Sequence, residues 1–277
     1  MPHDEGHFRT PDGLSLYEQR WLPAGESRAV VLLVHGFTEH SGRYARVAGE
    51  LNRQGYAVYA MDLRGHGKSE GDRVFVRTFD DYLADLDQFL GRVRQRESDK
   101  PLFLFGHSMG GTIVGLYAAR RQPQVNGVVL SAPAAVVGKG VFPILRRLAT
   151  LFGHLLPRMR VVRMGSSFVS RDPEVVAQFK SDPLVFHDRF PVRTGAEILH
   201  AARSIQEEIL QVRLPLLILH GTGDRVASAE GSRKLHLRAA SHDKTLHLYE
   251  GLFHELLSEP EREQVVDDLV RWLNGRR

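Results

Sequence analysis

The chain has 277 residues, of which 42% are hydrophobic and 25% are charged, as is usual for globular proteins. It contains no cysteine, which excludes disulfides, thiolate metal sites and a cysteine nucleophile. It has no uncharged apolar stretch of about 18 residues, which argues against a transmembrane helix, and Met1–Thr10 lacks the apolar segment of a secretory signal. We therefore expect a cytoplasmic protein with one large domain or with one domain and an insertion.

The net charge of +4 is unevenly distributed. The segment Ala134–Arg171 contains no Asp or Glu, and the rest of the chain has 30 basic and 33 acidic residues. We expect this segment to attract anions or an anionic surface. Its basic residues are Lys139, Arg146, Arg147, Arg158, Arg160, Arg163 and Arg171.

Apolar, β-rich runs alternate with helical patterns along the chain. The predicted strands are Leu14–Trp21 (the second arm of a hairpin after Pro11-Asp12-Gly13), Val30–Val34, Tyr56–Met61, Pro101–Phe105, Val128–Leu130, Leu214–Leu219 and Thr245–Tyr249. The predicted helices are Arg43–Gln54, Phe79–Arg96, Met109–Gln122 and Ser258–Leu273, the last with a capping-box pattern at Ser258–Glu261. This alternation predicts a mostly parallel sheet with helices on both faces.

One region, from about residue 135 to residue 206, interrupts the alternation. It lacks a clear strand pattern, and its apolar residues recur at helical spacing: Val141, Ile144, Leu145, Leu148, Leu151, Phe152, Leu155 and Leu156. We interpret it as a helical cap inserted between two strands and lying over one end of the sheet. The predicted organisation is a core of residues 1–134 and 207–277 with a cap of residues 135–206.

The segment Gly106-His107-Ser108-Met109-Gly110 fits the pattern G-x-S-x-G between a predicted strand and a predicted helix. This context is typical of a nucleophile elbow, a strained turn that exposes a serine hydroxyl at a helix N-terminus. The motif is short and also occurs in glycine-rich turns without chemistry. Ser108 is therefore a candidate nucleophile that needs a base and an acid elsewhere in the chain.

In such a fold the acid and then the histidine follow later strands. Asp224 lies just past the predicted strand Leu214–Leu219, and His254 lies just past Thr245–Tyr249. Each alone is a common turn residue. The order Ser108, Asp224, His254 is nevertheless the expected one, and all three residues emerge at the carboxyl edge of a parallel sheet. They form the predicted catalytic triad.

Two backbone amides are predicted to stabilise the oxyanion. One donor is the residue after the nucleophile, Met109, and the other is Phe37 in the loop after Val30–Val34. The 14 histidines include no helical H-x-x-x-H pair with a third ligand, so we expect no metal. His35, His107 and His220 each flank a glycine at a predicted strand end, and we expect them to hydrogen-bond neighbouring loops rather than bind a metal. We interpret Asp62–Ser69 as a structural turn because it lacks P-loop spacing.

Several segments together resemble the α/β-hydrolase family of serine esterases, and within it the monoacylglycerol lipases and related lysophospholipases. They are HGFTEHSGRY at 35–44, DLRGHGKSEG at 62–71, GHSMGG at 106–111, HGTGDRV at 220–226 and YEGLFHELLSE at 249–259, with SSFVSRDPEVV and SDPLV from Ser166 and Ser181 in the insertion. The resemblance implies the α/β-hydrolase fold with a helical cap and hydrolysis of a single-chain acyl ester, typically a monoacylglycerol, without a cofactor. Relatives often carry a smaller residue than Phe37, so we expect its side chain to narrow the acyl pocket.

The resemblance also places Glu39 and Arg43 at the polar, glycerol end of the site, although their i,i+4 spacing fits a simple ion pair as well. His107 and Val226 are further predicted substrate contacts. In the cap, Ile144, Leu145 and Leu148 would offer an apolar path for an acyl chain. The nearby basic residues suit contact with a lipid aggregate or membrane surface, although a plain amphipathic helix packed on the core remains open.

Other functions remain open at this point. The nearest alternatives are a lysophospholipase, a general carboxylesterase or a thioesterase of the same fold. Epoxide hydrolases and haloalkane dehalogenases are disfavoured because they use Asp at the position of Ser108. A non-catalytic lipid-binding protein would predict a damaged triad. A nucleic-acid binder is disfavoured because the basic segment has few interleaved aromatic residues and its apolar residues follow a helical stripe.

Overall fold

The computed structural model describes residues 2–136, 153, 155–163, 165 and 168–277. Its strands are β1 (His3–Arg9), β2 (Ser15–Trp21), β3 (Ala29–Val34), β4 (Tyr56–Met61), β5 (Leu102–His107), β6 (Gly127–Ser131), β7 (Arg160–Val162), β8 (Phe190–Pro191), β9 (Leu216–Gly221) and β10 (Lys244–Tyr249). The helices are α1 (Ala45–Arg53), α2 (Asp80–Arg96), α3 (Met109–Arg121), α4 (Pro173–Ser181), α5 (Val192–Glu208), α6 (Ala229–Arg238) and α7 (Arg262–Asn274). Short 3₁₀ turns span Ser41–Tyr44, Ile209–Gln211 and Leu256–Ser258.

Eight strands form one sheet in the order β1-β2-β4-β3-β5-β6-β9-β10. Strand β2 is antiparallel to β1 and β4, and the other neighbours run parallel. The predicted hairpin and the mostly parallel sheet are therefore confirmed. Because β3, β5, β9 and β10 are parallel, the loops that follow them meet at one edge of the sheet.

The core lies on both faces of this sheet because successive side chains of a strand point to opposite sides. In β3, Val30, Leu32 and Val34 pack in one buried cluster, whereas Val31 and Leu33 pack in the other. Helices cover both faces, so a central strand meets water on neither. This explains why the run is continuously apolar instead of alternating.

The structure differs from the sequence prediction at the last helix. The S-x-x-E pattern at Ser258–Glu261 predicted a capping box, but α7 begins at Arg262 and has no side-chain cap hydrogen bond. Ser258 belongs to a 3₁₀ turn. The Glu259 carboxylate is fully buried and accepts hydrogen bonds from Ser170, Arg171 and the Phe253 amide instead. Glu261, the carboxylate of the predicted box, pairs with Arg171, and the Ser258 carbonyl accepts from Ser170 Oγ. Contacts with residues 170 and 171 thus engage both box residues in place of the predicted local pair.

The insertion is more than a set of helices. Besides α4 and α5 it contains β7 and β8, which pair antiparallel, although the sequence has no clear strand pattern there. Each of these strands has three residues or fewer, which is too short for a periodic signal. The predicted acyl-path residues Ile144, Leu145 and Leu148 lie outside the described residues.

Helix α5 connects the insertion to the core. Its Ile205 is fully buried against α3, where a Cβ atom added to Gly115 would lie 2.5 Å from Ile205 Cδ1. The glycine thus allows the two helices to approach closely. Because α5 continues to Glu208, the division of the chain at residue 206 remains a prediction.

We predict that Gly115→Val lowers the free energy of unfolding by about 1–3 kcal/mol, because the added side chain overpacks the contact between α3 and α5. The matched control is Gly91→Val in α2, where an added Cβ meets nothing within 4 Å. It should change the stability by no more than about 0.5 kcal/mol. Chemical unfolding of both variants measures the difference, and equal effects would contradict the packing argument.

Candidate active site

Ser108 lies at a strained turn between β5 and α3. Its φ of 55° and ψ of −118° place a non-glycine residue in the left-handed region, which costs about 1–3 kcal/mol. The flanking glycines permit the turn. A Cβ on Gly106 would lie 2.3 Å from the Gly110 carbonyl oxygen, and one on Gly110 would lie 2.3 Å from the Val34 carbonyl oxygen. The G-x-S-x-G spacing thus follows from close backbone packing.

The structure brings the three predicted triad residues together. His254 Nε2 lies 2.8 Å from Ser108 Oγ, and His254 Nδ1 lies 2.6 Å from Asp224 Oδ2. The Ser108 and His254 side chains are buried, and 146 residues separate them in the chain. The hydroxyl can therefore donate to the imidazole, and the imidazole to the carboxylate, in the arrangement that activates a serine nucleophile.

The electrostatics of the site favour a charged acid beside a basic imidazole. Burial by itself would raise the pKa of the Asp224 carboxyl, but the charge of His254 and hydrogen bonds from His220 and His254 hold it well below its usual range. Burial disfavours a charged His254, whereas the Asp224 charge and hydrogen bond raise its pKa above the ordinary imidazole value. Asp224 thus stays ionised and stabilises the imidazolium that forms during reaction.

Asp224 is held by contacts that the sequence analysis did not predict. Its Oδ1 accepts the amides of Val226 and Ala227 at 2.7 and 3.0 Å, and its Oδ2 lies 3.1 Å from His220 Nε2. His220 Nδ1 in turn lies 2.7 Å from Ser232 Oγ. The sequence analysis expected His220 to hydrogen-bond a neighbouring loop, and its contacts with Asp224 and the Ala227 carbonyl are of that kind, but the analysis did not assign it to the acid. The place of His220 at the end of β9, four residues before the acid, was the available signal. Val226 as a substrate contact remains a prediction.

The loop after β3 carries the predicted oxyanion donor Phe37. The Gly36 amide donates to Glu39 Oε1 at 2.6 Å, which fixes the backbone just before Phe37. Among the described residues, neither the Phe37 amide nor the Met109 amide has a backbone acceptor. Two unpaired N–H groups near Ser108 are what an oxyanion hole requires. The Phe37 ring packs edge-on against Phe190 of the insertion, with ring centroids 5.2 Å apart.

A polar cavity of about 310 Å³ lies beside the triad. Arg43 spans it. Its Nη2 lies 2.7 Å from Glu255 Oε2, its Nε lies 3.7 Å from Glu39 Oε2, and its guanidinium stacks on the Phe179 ring of α4. Glu39 and Arg43 thus form an ion pair and also line the cavity. The other polar lining residues include His40, Tyr44, His107, Ser131, Gln178, Asp182 and Glu255.

His107 lines this cavity next to the catalytic base. Its ring centroid lies 4.8 Å from that of His254, and its Nδ1 lies 3.3 Å from Ser131 Oγ. Burial lowers the pKa of His107 to about 3, so the ring is neutral at ordinary pH. A neutral imidazole here leaves His254 as the group of this pair that carries the proton.

Two kinds of feature are absent from the described residues. They contain no group of three or more His, Asp or Glu side chains that could hold a metal ion. No helix in the described part of the chain is long and apolar enough to cross a membrane.

The sheet, the strained serine and the hydrogen-bonded triad define a serine hydrolase of the α/β-hydrolase fold. The family described as serine aminopeptidase, S33, matches residues 25–261. A monoacylglycerol lipase from Mycolicibacterium smegmatis is 39% identical over 269 residues, which cover 97% of this chain and 96% of that protein. The chain belongs to this family of serine hydrolases, together with the monoacylglycerol lipases, and is a serine ester hydrolase.

Comparison with solved structures supports the same family. The crystal structure of monoacylglycerol lipase from Paleococcus ferrophilus has a TM-score of 0.85 and 32% identity, and the match covers 100% of both chains. A soluble variant of monoglyceride lipase from Saccharomyces cerevisiae, in complex with a substrate analog, has a TM-score of 0.90 and 25% identity over 100% of this chain and 95% of that chain. The family resemblance and the fold expected from the sequence are therefore confirmed.

We predict that Asp224→Asn lowers kcat on the order of 10⁴-fold because it removes the charge that orients and stabilises His254. The base must be neutral to accept the serine proton, so wild-type kcat/KM should fall with decreasing pH through a value above 6.5. Without the Asp224 charge, burial dominates and this acidic limb should move to lower pH. The measurement is kcat/KM against pH on a short soluble ester.

The control for this experiment is Asp267→Asn, which changes the same group at an exposed position of α7. It should reproduce the wild-type pH profile. An acidic limb that stays in place in Asp224→Asn would show that Asp224 does not tune the base.

Proposed function

We propose that this enzyme hydrolyses monoacylglycerols to a free fatty acid and glycerol through an acyl-enzyme. The observation that carries the proposal is the hydrogen-bonded array of Ser108, His254 and Asp224 beside a polar cavity large enough for a small polyol. The similar proteins described as monoacylglycerol lipases support the substrate class. The proposed chemistry uses no metal or cofactor.

The mechanism follows from the geometry. His254 accepts the proton of Ser108 as its Oγ attacks the ester carbonyl, and the Phe37 and Met109 amides donate to the oxyanion. The tetrahedral intermediate collapses, the C–O bond to glycerol breaks, and His254 Nε2 returns the proton to the leaving alkoxide. Water then attacks the acyl-enzyme with His254 again as the base, which releases the fatty acid and regenerates Ser108.

The two ends of the substrate have different surroundings in this proposal. Glycerol hydroxyls occupy the polar cavity, where Glu39 accepts and Arg43 donates hydrogen bonds, with His107 at its inner wall. The acyl chain follows apolar residues of the cap, residues 135–206, with Ile144, Leu145 and Leu148 as predicted contacts. Val226, in the core after Asp224, is a further predicted substrate contact.

The decisive experiment compares kcat/KM on monoacylglycerols, lysophospholipids, triacylglycerols and short soluble esters of matched acyl type. We expect a preference for monoacylglycerol of more than tenfold, or about 1.4 kcal/mol of transition-state discrimination. Ser108→Ala should lose nearly all activity on every substrate because the nucleophile is absent. Comparable rates on short soluble esters alone would make the protein a general carboxylesterase, and a preference for lysophospholipids would make it a lysophospholipase.

We also propose that the cap contacts lipid surfaces. Leu155 and Leu156 are 70% and 52% exposed, and Arg158 and Arg160 lie two and four residues after Leu156. Exposed apolar groups beside cations favour an anionic lipid–water interface. Arg158 pairs with Asp72, and Arg160 lies 3.6 Å from Asp188, so the protein itself neutralises part of this charge. The cytoplasmic location expected from the sequence remains a prediction.

We predict that the double variant Leu155→Ser/Leu156→Ser weakens binding to anionic vesicles at least about tenfold, since burial of each leucine contributes about 1.5–3 kcal/mol when complete. Leu237→Ser is the control, because Leu237 is 78% exposed but lies on α6, outside the insertion. Vesicle co-sedimentation measures binding, and activity on a soluble ester verifies folding. Binding that is independent of both salt and anionic lipid content would contradict the role of the basic residues.

A further inference from the structure

Among the described residues, two buried carboxylates line the polar cavity, and the Arg43 guanidinium bridges them. Arg46 also lines the cavity, at an exposed position. Glu39 and Glu255 are 5% and 8% exposed, and Arg43 contacts both. Arg43 Nη1 is buried and has no hydrogen-bond partner among the described residues. Buried donors are normally paired. This atom is therefore available to an oxygen atom of a bound molecule.

This charge cluster lies next to the reacting atoms. The position that a Cβ of Gly36 would occupy is 2.8 Å from Glu39 Oε1 and 3.2 Å from Ser108 Cβ. Glu255 directly follows the catalytic base His254 in the chain. A leaving group in this cavity therefore meets the field of all three charges while the ester bond breaks.

Glu39 and Glu255 differ in the contacts that they make besides the one with Arg43. Glu39 Oε1 accepts the Gly36 amide and the Tyr44 hydroxyl at 2.6 and 2.8 Å, so Glu39 is needed to position the oxyanion loop. The Glu255 carboxylate binds Arg43, and the triad mechanism does not use it. Burial raises the pKa of Glu255 to about 7, because the single shared Arg43 only partly offsets the cost of its charge. Above that pH the carboxyl group is ionised.

We propose that Glu255 is a specificity-determining residue that makes the cavity select uncharged polyol head groups and reject phosphate-bearing ones. The inference rests on the proposed function, because it assigns the leaving glycerol to this cavity. Glu255 occupies Arg43 Nη2, so a phosphate cannot bind the guanidinium in a bidentate manner. A phosphate would also approach two carboxylates where the surroundings screen charge poorly. A neutral hydroxyl can accept from Nη1 and donate to either carboxylate without these penalties.

The test compares 1-decanoylglycerol with 1-decanoylglycerol 3-phosphate below their aggregation limits, at a pH well above the raised pKa of Glu255 so that this carboxyl group is ionised. Both substrates form the same acyl-enzyme, so deacylation is identical and the ratio of their kcat/KM values reports the head group during acylation. In Glu255→Gln we expect this ratio to shift towards the phosphate ester by at least about tenfold. Glu255→Asp, which keeps the charge, should retain the wild-type preference.

Two control variants test whether the change in the kcat/KM ratio depends on the position of Glu255 and on Arg43. Glu250→Gln makes the same change at an exposed position of the turn before His254, and its ratio should equal that of the wild type. In the background of Glu255→Gln, a second change of Arg43→Met should remove the gain on the phosphate ester, because Arg43 is the group that Glu255 releases.

The outcomes separate this inference from the function on which it rests. An unchanged ratio in Glu255→Gln, or an equal fall of both rates, would overturn the inference and leave monoacylglycerol hydrolysis standing. A gain that persists without Arg43 would overturn it as well. If the wild type cleaves short soluble esters but not 1-decanoylglycerol, the proposed function fails and the inference fails with it.

Discussion

The whole site depends on a close backbone approach at the carboxyl edge of the sheet. The chain must turn from β5 into α3 within about one residue, with Ser108 at a φ of 55°. Gly106 and Gly110 allow this because their Cα atoms pack directly against backbone carbonyl groups. The continuous apolar strands hold the sheet rigid around the turn, so its strain is maintained by core packing on both faces. The hydroxyl is thus presented before any substrate arrives.

Around this turn, buried charges raise the pKa of His254 and hold the loop that carries Phe37. On one side of His254, Asp224 is fixed by two amides and His220, so that its charge raises the basicity of the imidazole. On the other side, Arg43 sits between two carboxylates, one of which holds the oxyanion loop. A buried charge without a partner is costly, and the partners named here offset that cost, for Glu255 only in part. The charged residues that line the polar cavity therefore also hold the loop that carries Phe37.

Much of this could be predicted from the sequence because parallel sheets place strand-following residues at one edge. The buried strands could be recognised from their continuous apolar runs, and the triad from three residues that each follow a predicted strand. Glu255 was missed because its significance depends on Arg43, which is 212 residues away in the chain. The pair β7–β8 was missed because strands of two or three residues have no periodicity. The capping box at Ser258 was mispredicted because Arg171 pairs with Glu261 and Ser170 binds the Ser258 carbonyl from a distant part of the chain.

Main-chain hydrogen bonds join described residues of the insertion to the loops that carry Phe37 and His254. The Phe186 amide donates to the Thr38 carbonyl beside the oxyanion donor, and the Glu255 amide donates to the Val169 carbonyl next to the base. A displacement of the insertion that breaks these bonds would loosen the oxyanion loop and the histidine loop together. Opening of the cap and loss of catalytic alignment would then be a single equilibrium, so an open enzyme would bind substrate without turning it over.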